Sequence, residues 1–425
     1  MKLAFHLGRV YTLSLAEILS VLTRRGVEYE ITGLFTEILI IKTNQVLDVQ
    51  SLQKRLGGTV KIMRVADELT KKLPDDYVNF TLKKYLTPQN LKKLLTEYKG
   101  KVQFGVSLYP LSYKVNLRNQ NKNVGMDIKH LLQENGVSSR LVLPEGNSLA
   151  LPSVAVTNNH LLEKGAEIDL LVSETKIYIA KTLTVQDFSD YGRRDYQRPI
   201  RDSRVGMLPP KVAQIMINLA QYEPDEKNKG GYILDPFVGS GTVLQEAMLI
   251  GFKVLGSDIS QKAVNDAEKN LDWFRTRYKL PPHKFELEVA DVGKISKAFP
   301  DKKPLAIITE GTLGPTYAKE PNESEMAKNF EELSKVYLSA FKEFKKILPK
   351  GRTVVMALPA YRVRKGYISF PVVDKILKLG YDIQDPISQE TVTKYGFLKV
   401  TPRKSIIYDR KDQIVVREII IFKVK

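Results

Sequence analysis

The spacing of apolar residues predicts alternating strands and helices from the start of the chain. Residues 3–6 read as a strand, 13–25 as a helix stopped by Gly26, and 27–32 and 38–43 as strands. A helix over 47–56, stopped by Gly57, and a strand over 60–65 follow. That order, βαββαβ, is the ferredoxin-like arrangement. A Lys- and Asp-rich stretch near 71–76 marks a boundary, after which a second mixture of strands and helices runs to Gln186. Residues 187–205, dense in Arg, Asp and Tyr and poor in aliphatic side chains, read as a linker. Its Arg193, Arg194, Arg198 and Arg201 can meet phosphate or pair with Asp190, Asp195 and Asp202.

Beyond the linker, Pro209 and Pro210 suit the first turn of a helix. Val212, Ile215, Met216 and Leu219 give that helix one apolar face. A long amphipathic helix is predicted from Leu333, Val336, Tyr337, Ala340, Phe341, Phe344 and Ile347. The Pro349-Lys350-Gly351 turn ends it before a strand over 353–358. A shorter helix over 372–379, closed by Gly380, and strands near 397–400, 406–408 and 414–422 complete the pattern. The expected domains are 1–75, 76–186 and 206–425, with 187–205 between the last two.

Residues 231–258 carry the plainest chemical signal. An apolar strand (232–234) ends on Asp235, passes through Gly239, Ser240, Gly241 and Thr242, and enters a helix that stops at Gly251; a second strand ends on Asp258. This is half of a nucleoside-binding α/β sheet, in which glycines let the backbone approach a ligand at the carboxyl ends of the strands. The acid closing the second strand accepts hydrogen bonds from two ribose hydroxyls. Gly-rich turns also cap strand-to-helix connections that bind nothing, but here Asp, glycines, helix and distal Asp occur together. The turn lacks the Gly-Lys-Ser/Thr ending of a phosphate-cradling loop. A further acidic segment, 287–291, ends on Asp291, and a buried strand over 305–308 leads into Thr309-Glu310-Gly311-Thr312-Leu313-Gly314-Pro315.

The octapeptide DPFVGSGT resembles the first motif of S-adenosylmethionine-dependent methyltransferases that modify amino groups on nucleic-acid bases. Residues 191–220, with GMLPPK, resemble the linker and opening helix of the archaeal and eukaryotic tRNA guanosine-10 N2-methyltransferase family. Residues 104–107, 126–135 and 177–186 resemble its RNA-binding THUMP module, and the opening FHLGRVYTLSLAEILSVL resembles its N-terminus. The resemblance implies an α/β fold: a Rossmann-like seven-stranded methyltransferase sheet at the C-terminus, its last strand antiparallel, behind α+β ferredoxin-like and THUMP-like domains. It implies S-adenosylmethionine as cofactor, held by Asp235, Pro236, Phe237, Gly239, Ser240, Gly241, Thr242, Asp258, Ile259, Asp291 and Val292, with Asp291 meeting the adenine amine. The family's loop carries Asp or Asn, two prolines and an aromatic residue, and Glu310 stands where it places the acceptor for the target amine. The sequence departs from the family at Gly311 and Thr312, where a proline and an aromatic residue belong, and Tyr317 is the nearest replacement. Stacking of a base on an aromatic is worth about 1 to 3 kcal/mol, so the departure matters. The Gly206-Met207-Leu208 turn is a further candidate cofactor contact.

Composition narrows the class. The 425 residues contain no cysteine, which excludes disulfides, thiol nucleophiles and cysteine-bound zinc. Four scattered histidines offer no metal-ligand spacing, so no metal is expected. No secretory signal or membrane span is legible, and a reducing, cytoplasmic location is expected. The net charge of +18 is unevenly placed. Residues 1–205 hold 30 Lys and Arg against 21 Asp and Glu, 206–336 hold 17 against 19, and 337–425 hold 19 against 8. Two basic flanks around a nearly neutral crevice suit a polyanion such as a nucleic acid, and the resemblance implies that it is tRNA. Two other readings remain open: a DNA or rRNA exocyclic-amine methyltransferase using the same crevice, and an RNA-binding homologue that is catalytically silent. The sequence does not say whether a small activator subunit is required.

Overall fold

A computed structural model describes residues 1–71, 78–117, 120–201, 207–224, 231–282, 285–410 and 413–425. The chain divides into two compact units, one formed by Met1–Tyr11 with Val27–Ser189 and the other by Thr12–Gly26 with Asp190–Lys425.

The first unit is built on one eight-stranded sheet: β1 (Lys2–Leu7), β2 (Glu30–Leu34), β3 (Ile38–Lys42), β4 (Thr59–Thr70), β5 (Val102–Pro110), β6 (Ser139–Val142), β7 (Gly165–Val172) and β8 (Lys176–Val185). Its order is β2-β3-β1-β4-β8-β7-β5-β6. The first four strands are antiparallel with β1 central, as the βαββαβ pattern requires. β4 runs to Thr70, five residues past its expected end, because it pairs with β8 along nearly its whole length, from Lys61↔Val185 to Thr70↔Lys176. The segments read from sequence as 1–75 and 76–186 therefore contribute to one continuous sheet. Most of the boundary stretch near 71–76 lies outside the described residues. Phe104, Val106, Leu108, Ile168, Leu170 and Ile179 pack the core on β5, β7 and β8.

The second unit carries β9 (Tyr232–Asp235), β10 (Lys253–Asp258), β11 (Phe285–Val289), β12 (Ala306–Glu310), β13 (Thr353–Val363), β14 (Gly366–Ser369), β15 (Tyr381–Ile383), β16 (Ile406–Tyr408) and β17 (Val415–Val424). The main path, β11-β10-β9-β12-β13-β17-β15, has seven strands. The first five are parallel and β17 runs antiparallel to both its neighbours, the Rossmann-like methyltransferase sheet that was expected. Chain order runs outward from β9 through β10 to β11 and then returns to β12, so the switch point lies between β9 and β12. The helix Glu323–Ile347 covers one face with Tyr337, Ala340, Phe341 and Phe344 against Val354, Met356 and Phe422.

Three local expectations are corrected. Residues 397–400 form no strand: the Lys399 amide donates to Thr12 Oγ1 at 3.0 Å, and Phe397 stands 37% exposed. The linker contains the helix Phe188–Tyr196, whose buried side chains are Tyr191 and Arg194. The helix Pro210–Leu219 is buried on more than its apolar face: Gln214 and Asn218 are buried too, and Asn218 donates to Glu17 of the helix Tyr11–Arg24 at 2.7 Å. Among the described residues no helix is long and apolar enough to cross a membrane.

Candidate active site

At the carboxyl edge of the parallel strands, the turn after β9 is shaped by two glycines with left-handed backbones, Gly239 at φ 49° and Gly241 at φ 83°. That region costs any residue with a Cβ, which is why glycine stands there. Asp258, at the end of β10, ties the turn to the next helix: Oδ2 accepts from the Gly239 amide at 3.1 Å and Oδ1 from the Ser260 amide at 3.0 Å. Beside it Ile259 is 74% exposed. A carboxylate acceptor next to an unpacked apolar side chain is a pair able to receive a nucleoside, with a diol donating to the acid and a flat ring lying on the isoleucine. Asp291 is exposed and caps a short 3-10 turn, accepting from the Gly293 amide at 2.8 Å. Val292 points into the core instead.

Asp235 is buried, and its Oδ1 accepts from Thr309 Oγ1 at 2.5 Å and from the Phe237 amide at 3.1 Å. Its carboxylate thus crosslinks β9 to β12 at the switch point and starts the turn. Burial pushes its carboxyl up to about 7 against those two hydrogen bonds, and the charges of Asp258 and Glu310 add to the rise. Pro236 is buried, and half-buried Phe237 has its ring 6.2 Å from that of Tyr337.

The turn is braced from behind by residues of the linker and of the helix Gln261–Arg277. Arg198 donates to Thr242 Oγ1 at 2.7 Å and to Ser240 Oγ at 3.3 Å, and pairs with Asp195 at 3.3 Å. Asn270 joins the Ser240 carbonyl at 3.0 Å to the backbone of Ile200. Arg194 is buried between Glu246 and Asp190, with its guanidinium 4.0 Å from the Tyr191 ring, and Arg193 pairs with Asp190 at 3.3 Å. Of the two roles open to these arginines, Arg193, Arg194 and Arg198 take carboxylate pairing, and Arg201 lies over the Tyr196 ring at 4.9 Å. Asp202 and Gly206 lie outside the described residues. Met207 touches the turn, its sulfur 3.8 Å from Ser240 Oγ, and Leu208 is buried.

Across the switch point, Glu310 closes β12 with its side chain 15% exposed. Arg417 of β17 grips it: Nε donates to Oε1, and Nη2 donates to Oε2 at 3.2 Å. Burial pushes the Glu310 carboxyl up from its ordinary range, while Arg417 and Arg410 oppose that rise. Gly311 allows close packing, since a Cβ there would lie 2.4 Å from the Tyr337 hydroxyl. That hydroxyl donates to the Thr312 carbonyl at 2.9 Å. At Gly314, φ is 80° and a Cβ would strike Asn329, whose amide donates to the Tyr361 hydroxyl. Tyr317 is half-buried, edge-on to Tyr361 with ring centroids 5.8 Å apart. The loop is thus anchored to a helix and to β13 in place of the rigidity a proline pair would give.

A family model described as DNA methylase matches residues 181–269, from the end of β8 through the Gly-rich turn and Asp258. A tRNA (guanine(10)-N2)-dimethyltransferase of Pyrococcus abyssi is 37% identical over 122 residues, 29% of this chain and 31% of the relative. A probable tRNA (guanine(10)-N2)-dimethyltransferase of Methanothermococcus thermolithotrophicus is 30% identical over 128 residues, 29% of this chain and 74% of that relative. This chain belongs to the tRNA (guanine(10)-N2)-dimethyltransferase family. The match nevertheless spans under a third of the Pyrococcus relative's length. TrmN from Thermus thermophilus, 15% identical with both chains covered in full and a TM-score of 0.56, shares the fold.

Sequence reasoning did not single out Arg417, Asn270 or Asn329, and read Tyr337 only as part of a helix face. Arg417 and Glu418 did leave a signal, as two charges inside the apolar run 414–422. Both are buried, so each requires a partner, and only the fold shows which: Arg403 and Ser405 hold Glu418.

Proposed function

We propose that this protein methylates the exocyclic amine of a guanine in tRNA, N2 of guanosine 10 by its family, with S-adenosylmethionine as methyl donor. The observation that carries the reading is the placement of Glu310 and the Gly239–Asp258 pair on one edge of the sheet, flanking the switch point. The residues present fit the cofactor. Asp258 takes the ribose, Ile259 and Asp291 the adenine, and the Gly239–Thr242 turn leaves open space at Gly239 for close approach. Pro236 and Phe237 shape that turn, Val292 supports Asp291 from the core, and Asp235 holds the turn in place. When bound, the cofactor supplies an electrophilic methyl group.

The chain's own work is to orient the amine. Its nitrogen lone pair is delocalised into the ring, and an acceptor for the N–H hydrogens turns it toward the methyl carbon. Glu310 is that acceptor, and a carboxylate has lone pairs to spare beyond the two that Arg417 occupies. Tyr317, backed by Tyr361, is the surface against which the extruded base stacks. Positioning of this kind supplies most of the acceleration in an in-line displacement. Residues 206–425 carry this chemistry, and the THUMP-like part, 76–186 with the preceding 1–75, holds the RNA by shape.

Mass spectrometry of nucleosides from tRNA incubated with protein and labelled cofactor is expected to show labelled N2-methylated guanosine, and no transfer to duplex DNA. Labelled adenine or cytosine would overturn the substrate, and tRNA binding without any transfer would mark a silent homologue. Asp258→Ala is expected to weaken cofactor binding by about a hundredfold or more in calorimetry, the worth of two hydrogen bonds to a charged group at about 1.5 to 3 kcal/mol each. Unchanged affinity would remove Asp258 from the ribose site.

A further inference from the structure

Arg417 is 1% exposed at its side chain, too deeply buried to touch a base, yet it makes a two-point contact with the carboxylate assigned to the target amine. The register explains the reach. Glu310 of β12 pairs with Ala357 of β13, and Arg417 of β17 pairs with Pro359, so both charges share a face with two short side chains of β13 between them. Gln413 steadies the guanidinium from within its own segment, with Nη1 donating to Oε1 at 3.4 Å. The planar fork of arginine fixes a carboxylate in both position and plane, which a lysine cannot do.

Resting on the reading of Glu310 above, we propose that Arg417 is a positioning residue for methyl transfer, holding the Glu310 carboxylate in the plane and rotamer that receive the target amine. The fork takes one lone pair on each oxygen and leaves the others for the amine hydrogens, on a side chain that is 15% exposed. The charge of Arg417 also opposes the rise that burial imposes on the Glu310 carboxyl. The other groups acting there are Arg410, which favours the charged form, Asp235, which is coupled to Glu310 by repulsion, and the Tyr337 hydroxyl, held neutral by burial. Among these only Arg417 makes hydrogen bonds to Glu310 that fix its direction. The same clasp accounts for a working loop without a proline pair: an acid one methylene longer than aspartate is shortened in reach and stiffened by its partner.

The test compares Arg417→Met, Arg417→Lys, Glu310→Gln and the Glu310→Gln/Arg417→Met double variant in tRNA methylation across pH. Arg417→Met is expected to lower kcat about a hundredfold, with KM for tRNA and cofactor affinity within about threefold of the parent. The acid limb of its pH profile moves up by about one unit or more, because an opposite charge has left the carboxyl. Arg417→Lys keeps the acid limb near its parent position and loses about tenfold in kcat, and the double variant falls no further than Glu310→Gln. If Arg417→Met fails to fold, Arg417→Lys decides, and parental kcat there overturns the proposal. Parental kcat and profile in Arg417→Met overturn it as well. Full turnover in Glu310→Gln, or none in the parent protein, overturns the reading of the site on which it stands.

Discussion

Replacing Glu310 with glutamine is expected to lower turnover by about a hundredfold to a thousandfold while cofactor affinity stays within about threefold. The substitution keeps the shape and removes the charge. A glutamine offers one oxygen where two are in use, so its NH2 faces either the Arg417 guanidinium or the incoming amine, and both of those are donors. If the oxygen turns to Arg417, the amine loses its acceptor; if it turns outward, a buried guanidinium loses one of its bonds, which costs about 1 to 3 kcal/mol of stability. Turnover falls in either orientation, and the thermal midpoint reports which one is adopted. Single-turnover methylation measures the first effect and calorimetry the second. Turnover within threefold of the parent would take Glu310 out of the reaction.

How far such a site can be read from sequence depends on how local its chemistry is. Asp235, Gly239, Gly241 and Asp258 lie within 24 residues on one β-turn-α-β unit, and the backbone demands of that unit are written in its glycines. Most strands and helices of this unit were legible for the same reason, since each has its own period, whereas their assembly into a seven-stranded sheet was implied by the family resemblance. What the sequence hid is what pairs across distance. Arg417 is 107 positions from Glu310, and nothing in either neighbourhood names the other. The helix Phe188–Tyr196 looked like a linker because a buried position in it is filled by Arg194, which reads as surface until Glu246 and Asp190 are seen around it. The strand expected at 397–400 failed on the opposite ground: its apolar residues suit a strand, but its backbone is held by a turn and by Thr12. β4 joins β8 through residues more than a hundred positions apart, so the continuity of the first sheet was not visible either.

Lys61→Met is expected to cost the first unit about 3 to 5 kcal/mol, the penalty for stranding a buried charge. Lys61 and Glu167 are 1% and 0% exposed at their side chains. The ammonium bonds Glu167, the Leu151 carbonyl at 2.7 Å and the Tyr109 hydroxyl at 3.2 Å. Ser107 and Thr182 complete the shell of Glu167, and Thr182 Oγ1 lies 2.7 Å from both Glu167 Oε2 and Asp169 Oδ2. A hydroxyl has one proton to give, so if Glu167 receives it, Asp169 must bring its own. Burial pushes the Asp169 carboxyl well above its ordinary range in agreement with that count, with the Glu167 charge adding to the rise. The site is then one cation, one anion and one neutral acid, and removing Lys61 leaves the anion alone. Lys61→Met with Glu167→Gln is expected to recover much of the loss in urea unfolding at neutral pH, whereas a double variant as unstable as Lys61→Met would show that packing, not charge, sets the cost. The proton on Asp169 fixes the sign of the pH effect. Between the unfolded carboxyl value near 4 and the raised folded value, the folded unit keeps a proton that the unfolded chain has released, so stability falls as pH rises through that window. Asp169→Asn, whose amide donates to Thr182 as the neutral acid does, is expected to remove this slope and to exceed the parent in stability above pH 7; a slope left intact would place the proton elsewhere in the cluster.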